Sequence, residues 1–482
     1  MKRQILQSWL CAVAFLMSAV PALNAQLQSK EVTPTAVRGD SVLEVTQASP
    51  GEICDGYLFW HQADEIATDV KNYAMLLDAE GKLVHRWDNK LSGGGHTSYL
   101  LESGGLLRMG IRDQSFVRGQ PVAAVDTLQI TDRTGRPIWE LDAKRLSARD
   151  SKITFHHDLF PMPNGNILVL LYEEFTAEKA AAIGWTAKEG GKVWSDGVME
   201  INPNLTDGSY EVVWQWRFAD HIIQDLDQNA ANYGVVAEHP ERIDCHFPVS
   251  YAPTNMVRQH LNAIDYHTEL DQILISSFIY NEIWVIDHSV TSEQARGSEG
   301  GRFGKGGDLL FRYGNPAAYD AGTEEDRVFL KQHDANSIDV GVPGAGNILV
   351  MNNNTQLKPG SMLTRNRPLG AAAALAQGQL KGTSNVHEIR PFMDQESNYV
   401  IGEEGAFLVE NIWFWEDPSF FAPFQGGARR LPNGNTLLSN TVRRSVLEVN
   451  PAGKIVARYL GPAPTFKSFK FSRERAADLL GK

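Results

Sequence analysis

The chain has 482 residues, 43% of them apolar and 21% charged, a balance that argues against both a disordered polymer and a polytopic membrane protein. Its 45 Lys and Arg against 58 Asp and Glu leave a net charge of −13, which repels phosphate backbones and argues against a nucleic-acid partner. That length admits several ordinary domains or one large repeat fold, so internal periodicity has to decide.

At the start, Lys2 and Arg3 precede an apolar run, residues 9–20, that ends in Pro21 and small residues up to Ala25. This is the pattern of a secretory signal peptide over residues 1–25. The run is too short to span a bilayer and no later segment is apolar for long enough, so an exported protein without a transmembrane segment is expected, periplasmic or secreted. Losing Lys2 and Arg3 takes the charge from −13 to −15. Cys11 leaves with the peptide, and an oxidising compartment permits but does not require Cys54 and Cys245 to pair.

After a polar leader over residues 26–51, two kinds of segment alternate. One is a strand, an Asp or Asn turn with Gly, and a second strand ending in an aromatic. It occurs at residues 74–87, 128–139, 199–216, 283–313, 386–415 and 446–459. Asn, Asp and Gly tolerate the positive φ that tight turns need, so these are six hairpins. Between them lies a turn followed by an aliphatic strand, as in Pro163-Asn164-Gly165-Asn166 and Pro432-Asn433-Gly434-Asn435, with variants at 102–107, 269–275 and 344–350. The apolar stretch at 56–60 supplies a sixth by joining the first and last units. Sixfold alternation predicts an all-β fold, a six-bladed β-propeller over residues 52–465 with long loop insertions and a C-terminal tail over 466–482. A pair of β-sandwiches predicts no such recurrence. Residues 179–184 and 370–379 read as short helical excursions. The glycine-rich stretch 300–307 lacks phosphate-loop spacing and reads as a surface loop.

Histidines gather ahead of the inner turns: His96, His156 and His157, His260, and His333. Inner strands of a propeller begin beside its central channel, so these imidazoles converge on one axis. Near neutral pH an imidazole serves as nucleophile, general base or, protonated, as general acid. Three of them also make a zinc or copper site, which leaves metal-assisted hydrolysis open. Asp158 and Asp334, each following a histidine, either orient an imidazole or form a turn. Trp214, Trp216, Trp413 and Trp415 read as packing between blades, His387 as a surface or packing residue, and His221 and His239 as part of an insertion without chemistry.

Around the histidines the chain resembles the bacterial arylsulfotransferases that work without 3′-phosphoadenosine-5′-phosphosulfate. The resemblance rests on His156-His157-Asp158 with the Pro163 turn, Asp220 to Asp225 with Ala231 to Gly234, and His260 to Tyr266 through Ile283 to His288. Gly306 to Asn315, Gln332 to Ala335, Gly344 to Leu349 and Ala428 to Leu437 extend it. It implies a six-bladed exported enzyme, needing no cofactor, that moves a sulfuryl group from a phenolic sulfate donor to a phenol acceptor through a sulfohistidine. By resemblance His260 and His333 are the sulfuryl-handling and acid/base histidines, with His157 assisting. His156, Asn262, His96 and Arg444 are expected to bind substrate. Two departures stand out. Asn352-Asn353-Asn354 is followed by Thr355 where the family carries an arginine soon after, so Arg365 or Arg367 would have to substitute. Phe424 stands where the sulfated histidine is expected. A catalytically silent propeller binding an aromatic or anionic ligand is therefore a second reading.

Overall fold

The computed structural model describes residues 43–49, 51–62, 72–92, 97–148, 151–185, 192–248, 257, 259–357 and 380–481. The signal segment, His96, Arg365, Arg367 and the stretch 370–379 lie outside them. In the outer hairpins an Asp or Asn side chain closes each turn: Lys82 N donates to Asp78 Oδ1 at 2.8 Å and Lys454 N to Asn450 Oδ1 at 2.9 Å, with Gly81 and Gly453 at φ +76° and +84°. The inner turns use a further device. Asn166, Asn347 and Asn435 each donate Nδ2 to a glutamate of the third strand of their own blade, Glu200 at 2.5 Å, Glu388 at 2.6 Å and Glu448 at 2.6 Å. A cation from the next blade then meets each carboxylate: His288 at 3.0 Å, Arg430 at 2.5 Å and Lys470 at 2.6 Å. For His288, burial opposes the charge, but Glu200 and Asp271 hold its pKa above the ordinary value.

These hairpins join into six antiparallel sheets, the blades of a propeller. From the channel outward, blade two comprises Ser98–Leu100, Leu106–Gly110, Thr127–Thr131 and Pro137–Asp142. Blade three runs Ile153–Pro161, Ile167–Phe175, Val193–Pro203 and Tyr210–Arg217. Blade four is Leu261–His267, Gln272–Ser277, Glu282–Asp287 and Leu309–Tyr313, and blade five is His333–Ser337, Ile348–Asn352, Asn385–Pro391 and Val409–Glu416.

Both ends of the chain close the ring, where the sequence placed a leader and a tail. Ser468–Phe471 is the inner strand of blade one, pairing with Tyr57–His61 ahead of Asn72–Leu77 and Leu83–Asn89. Glu44–Ala48 is a fifth, outermost strand of blade six, added to Gly427–Arg430, Thr436–Asn440, Ser445–Val449 and Ile455–Leu460. The apolar stretch at 56–60 does join first and last, as partner of the C-terminal strand. A helix, Arg473–Leu480, follows and packs Ala476 and Leu479 against Phe59 and Leu106.

The core lies between blades. Apolar side chains form separate clusters at each of the six blade junctions, the largest between blades three and four around Trp216 and Trp284. Outer-strand tryptophans tie neighbours together: Trp139 Nε1 donates to Ser209 O, Trp216 to Gly307 O and Trp415 to Gly453 O, at 2.9, 2.7 and 3.0 Å. Cys54 packs at the junction of blades six and one, and Cys245 at that of three and four, so no bridge joins them. Among the described residues no helix is long and apolar enough to cross a membrane.

Candidate functional site

Strict alternation would turn successive inner-strand side chains into the blade junctions. The inner strands break it at three places. Register shifts between Phe155 and Leu159, Leu261 and Ala263, and His333 and Asn336, each a bulge in the ladder. Beside them His157, His260 and Asp334 take φ of +50°, +51° and +49°, a region that costs non-glycine residues energy and re-aims the side chain.

The result is a run of rings across three blades. The His157 and His260 rings lie 4.5 Å apart, His260 packs 4.9 Å from Phe278, and Phe278 lies 5.5 Å from His333. Phe466, from the C-terminal segment, meets the other side of His333 at 6.0 Å. The three histidines are all buried, at 5%, 9% and 4% exposure, so they share one enclosed region rather than separate surfaces.

Hydrogen bonding fixes one tautomer. Asn353 donates Nδ2 to Ala422 O at 2.6 Å and to Gln425 O at 2.7 Å, which leaves its Oδ1 facing His333 Nδ1 at 2.7 Å. Lys331 O lies 3.1 Å from the same nitrogen. Two carbonyl oxygens require Nδ1 to carry the proton, so Nε2 of neutral His333 holds the lone pair. On the other side, His156 Nδ1 is 2.8 Å from His157 Nδ1, and His156 Nε2 is 3.3 Å from Asp196 Oδ1. His156 stacks on Tyr172 at 3.6 Å with 9° between planes. Burial pushes the Asp196 carboxyl up, partly offset by His156.

The aspartates that follow the histidines hold the backbone of neighbouring blades. Asp158 accepts Ile264 N of blade four at 3.0 Å, and Asp334 accepts Ala428 N of blade six at 3.1 Å. Asp265, between them, accepts Ser337 N of blade five at 2.7 Å, and burial pushes it up to about 7. Carboxylates thus stitch together inner strands that share no ladder. Lys467 bridges Asp158 and Asp334 at 2.6 and 2.8 Å, and Arg429 reaches Asp334 at 2.9 Å. Burial opposes the Lys467 charge, but the two aspartates hold its pKa well above the usual lysine value.

Not every expected residue joins the cluster. Asn262 donates Nδ2 to Gln332 O at 2.8 Å and links blades four and five. Arg444 and Arg443 are exposed, and Arg444 reaches Pro462 O. His387 sits between Phe329 and Phe414, with burial pushing it down to about 4, as a packing residue. His221 spends both nitrogens on Asp308 and Ala295 O. Thr355 donates to Pro423 O at 2.7 Å, next to half-buried Phe424, whereas Arg365 and Arg367 lie outside the described residues. Among the described residues no three His, Cys, Asp or Glu side chains group as metal ligands.

Sequence reasoning missed Lys331, Asn353, Phe278 and Lys467. Lys331 Nζ lies 4.8 Å from the Phe278 ring centroid, and burial, with Arg327 nearby, pushes its ammonium down to about 7. A lysine immediately ahead of Gln332-His333 at the mouth of an inner strand was the available signal.

Comparisons with known proteins bear on this arrangement. Among curated proteins none matches the chain. Among solved structures, a Bacteroides caccae protein of unknown function is similar at 11% identity, over 84% of this chain and 93% of that one, with a TM-score of 0.40. Virginiamycin B lyase of Staphylococcus aureus, solved with quinupristin, is 8% identical over 87% and 88%, with a TM-score of 0.35. The β-propeller domain of Cps50 from Myceliophteria thermophila is 8% identical over 87% and 90%, with a TM-score of 0.37. The family model for arylsulfotransferase (ASST) matches residues 40–368, more than half of the chain, covering three strands of blade one, blades two to four and the first two strands of blade five. The chain belongs to the arylsulfotransferase family.

Proposed function

We propose that the protein transfers a sulfuryl group from a phenolic sulfate ester to a phenol through a histidine of the central channel. The observation that supports this most is the run of rings from three blades, His157 against His260, and Phe278 between His260 and His333. In this reading His333 Nε2 is the nucleophile, because Asn353 and Lys331 O hold the proton on Nδ1. Its lone pair forms the N–S bond while the S–O bond to the aryl group breaks, and that electron pair leaves on the phenolate oxygen. Protonated His260 gives its proton to the phenolate. In the second half neutral His260 takes the proton of the acceptor phenol, whose oxygen attacks sulfur, and the N–S electron pair returns to Nε2. His157, against His260, assists these proton movements. The enzyme works after export, periplasmic or secreted, and needs no cofactor.

Incubation with 4-nitrophenyl sulfate tests the reading. Nitrophenol release should depend on an added phenol, and a sulfuryl adduct should map to the peptide carrying His333. Replacing His260 and His333 together should abolish transfer, and unchanged transfer would remove the assignment. A second reading, a silent ligand-binding propeller, is favoured by Phe424 at the expected nucleophile position. Binding of the ester without turnover would select it.

A further inference from the structure

The pairing of an inner-turn Asn, a third-strand Glu and a cation from the next blade recurs at three junctions, and the cations differ in kind. Glu388 meets Arg430 between blades five and six, and Glu448 meets Lys470 between six and one. Both keep their charge throughout the physiological range. Between blades three and four the partner of Glu200 is instead His288, a side chain that titrates within that range.

The His288 ring is held at both nitrogens. Nε2 lies 3.0 Å from Glu200 Oε2 of blade three, and Nδ1 lies 2.7 Å from Asp271 Oδ1 in the inner turn of blade four. A neutral imidazole has one N–H, so it serves one of these carboxylates and turns a lone pair on the other; both bonds together require the imidazolium. The surroundings fix this arrangement. Tyr266, its ring 5.4 Å from His288, donates its hydroxyl to the same Asp271 oxygen at 2.8 Å, and burial together with that carboxylate keeps the phenol neutral. Trp214 of blade three packs 5.0 Å from the imidazole, and Asn166 donates to Glu200 at 2.5 Å. With 12% of the His288 side chain exposed, water screens the charges little.

We propose that His288 is a pH-sensitive clasp between blades three and four, closed while both ring nitrogens carry hydrogen and released when one is lost. Burial opposes the charge, but Glu200 and Asp271 outweigh it, so the folded ring keeps its second proton above pH ~6.5, the ordinary histidine value. The clasp therefore contributes fully below pH ~6.5 and is lost as pH rises through the higher folded value. The same junction sets the His157 ring of blade three against the His260 ring of blade four. The clasp does not depend on the sulfotransfer reading.

Denaturant unfolding of the full-length wild type, His288→Gln, Glu200→Gln and the double variant, at pH ~6 and pH ~9, tests it. Glutamine resembles a neutral imidazole in offering a donor and an acceptor. At the lower pH His288→Gln should unfold at less denaturant than the wild type, and the double variant should lose less than the sum of the single losses. At the higher pH both the gap and the coupling should shrink. Coupling that is absent at the lower pH, or equal at the two, overturns the proposal. Should His288→Gln fail to fold, Asp271→Asn serves instead, since asparagine tolerates the φ of +53° at that position. Losing one carboxylate should move the alkaline loss of stability to lower pH, and a profile identical to the wild type overturns the clasp.

Discussion

Replacing Lys467 by Met should damage the protein more than any exposed ion pair would. Lys467 is 2% exposed and touches Asp158 of blade three and Asp334 of blade five, both fully buried. Met fills most of the volume but leaves Asp158 without its cation, while Asp334 keeps Arg429. Removing one partner of a buried pair costs about 3–5 kcal/mol, because the abandoned charge stays desolvated. Breaking an exposed pair such as Arg473–Asp55 would cost far less, because water screens both charges. Equilibrium denaturation of the wild type, Lys467→Met and Lys467→Met/Asp158→Asn measures this. The double variant should recover part of the loss, since a neutral amide needs no counter-charge, and Asp158→Asn alone should destabilise. A loss below about 1 kcal/mol in Lys467→Met, or an equal effect of Asp158→Asn in both backgrounds, would refute the coupling.

Three further outcomes are expected. Asn353→Ala removes the acceptor that fixes the His333 tautomer, so kcat for 4-nitrophenyl sulfate should fall on the order of 10²-fold with KM changed far less; a pure KM effect would contradict the orientation argument. His156→Phe keeps the stack on Tyr172 but removes the nitrogen facing His157, and transfer should slow several-fold with donor binding unchanged, as read from sulfate affinity. Asp265 is raised to about 7 in the fold against about 3.9 unfolded, so between those values the native state binds more protons and stability falls as pH rises. Its contribution is fully present below pH ~4 and lost through pH ~7, up to about 4 kcal/mol, and Asp265→Asn should flatten that slope in denaturation curves taken across the window.

The repeat was legible because hairpin turns carry their own chemistry: Asp78, Asp132 and Asn450 each cap a turn whose glycine has positive φ, and any reader of sequence meets them locally. Closure was legible only in part: the apolar stretch at 56–60 marked the joint, and its partner strand went unseen. Ser468–Phe471 is four residues with no turn of its own, and its pairing with Tyr57–His61 is decided by ring geometry. The histidines were legible from their repeated place before inner strands, whereas the bulges that aim them depend on carboxylates reaching into the next blade. Asn262 and Arg444 show the limit of position alone: both stand near inner turns, yet one links strands and the other faces solvent. Lys331, Asn353 and Lys467 escaped notice because their partners lie in other blades or across the axis. Glu200, Glu388 and Glu448 share a Glu followed by Ile or Val in third strands, a pattern that would have exposed the shared Asn–Glu–cation device.

The strand that completes blade one pairs Trp60 with Ser468, residues far apart in the sequence. A chain growing from its N-terminus can therefore shape blades two to five in turn, yet stays an open arc until Ser468–Phe471 emerges. Phe466 and Lys467 arrive with that segment, bringing the ring against His333 and the clamp on two histidine loops. Completion of the centre therefore comes late in synthesis: a chain cut before Phe466 lacks both the cation between Asp158 and Asp334 and the inner strand of blade one.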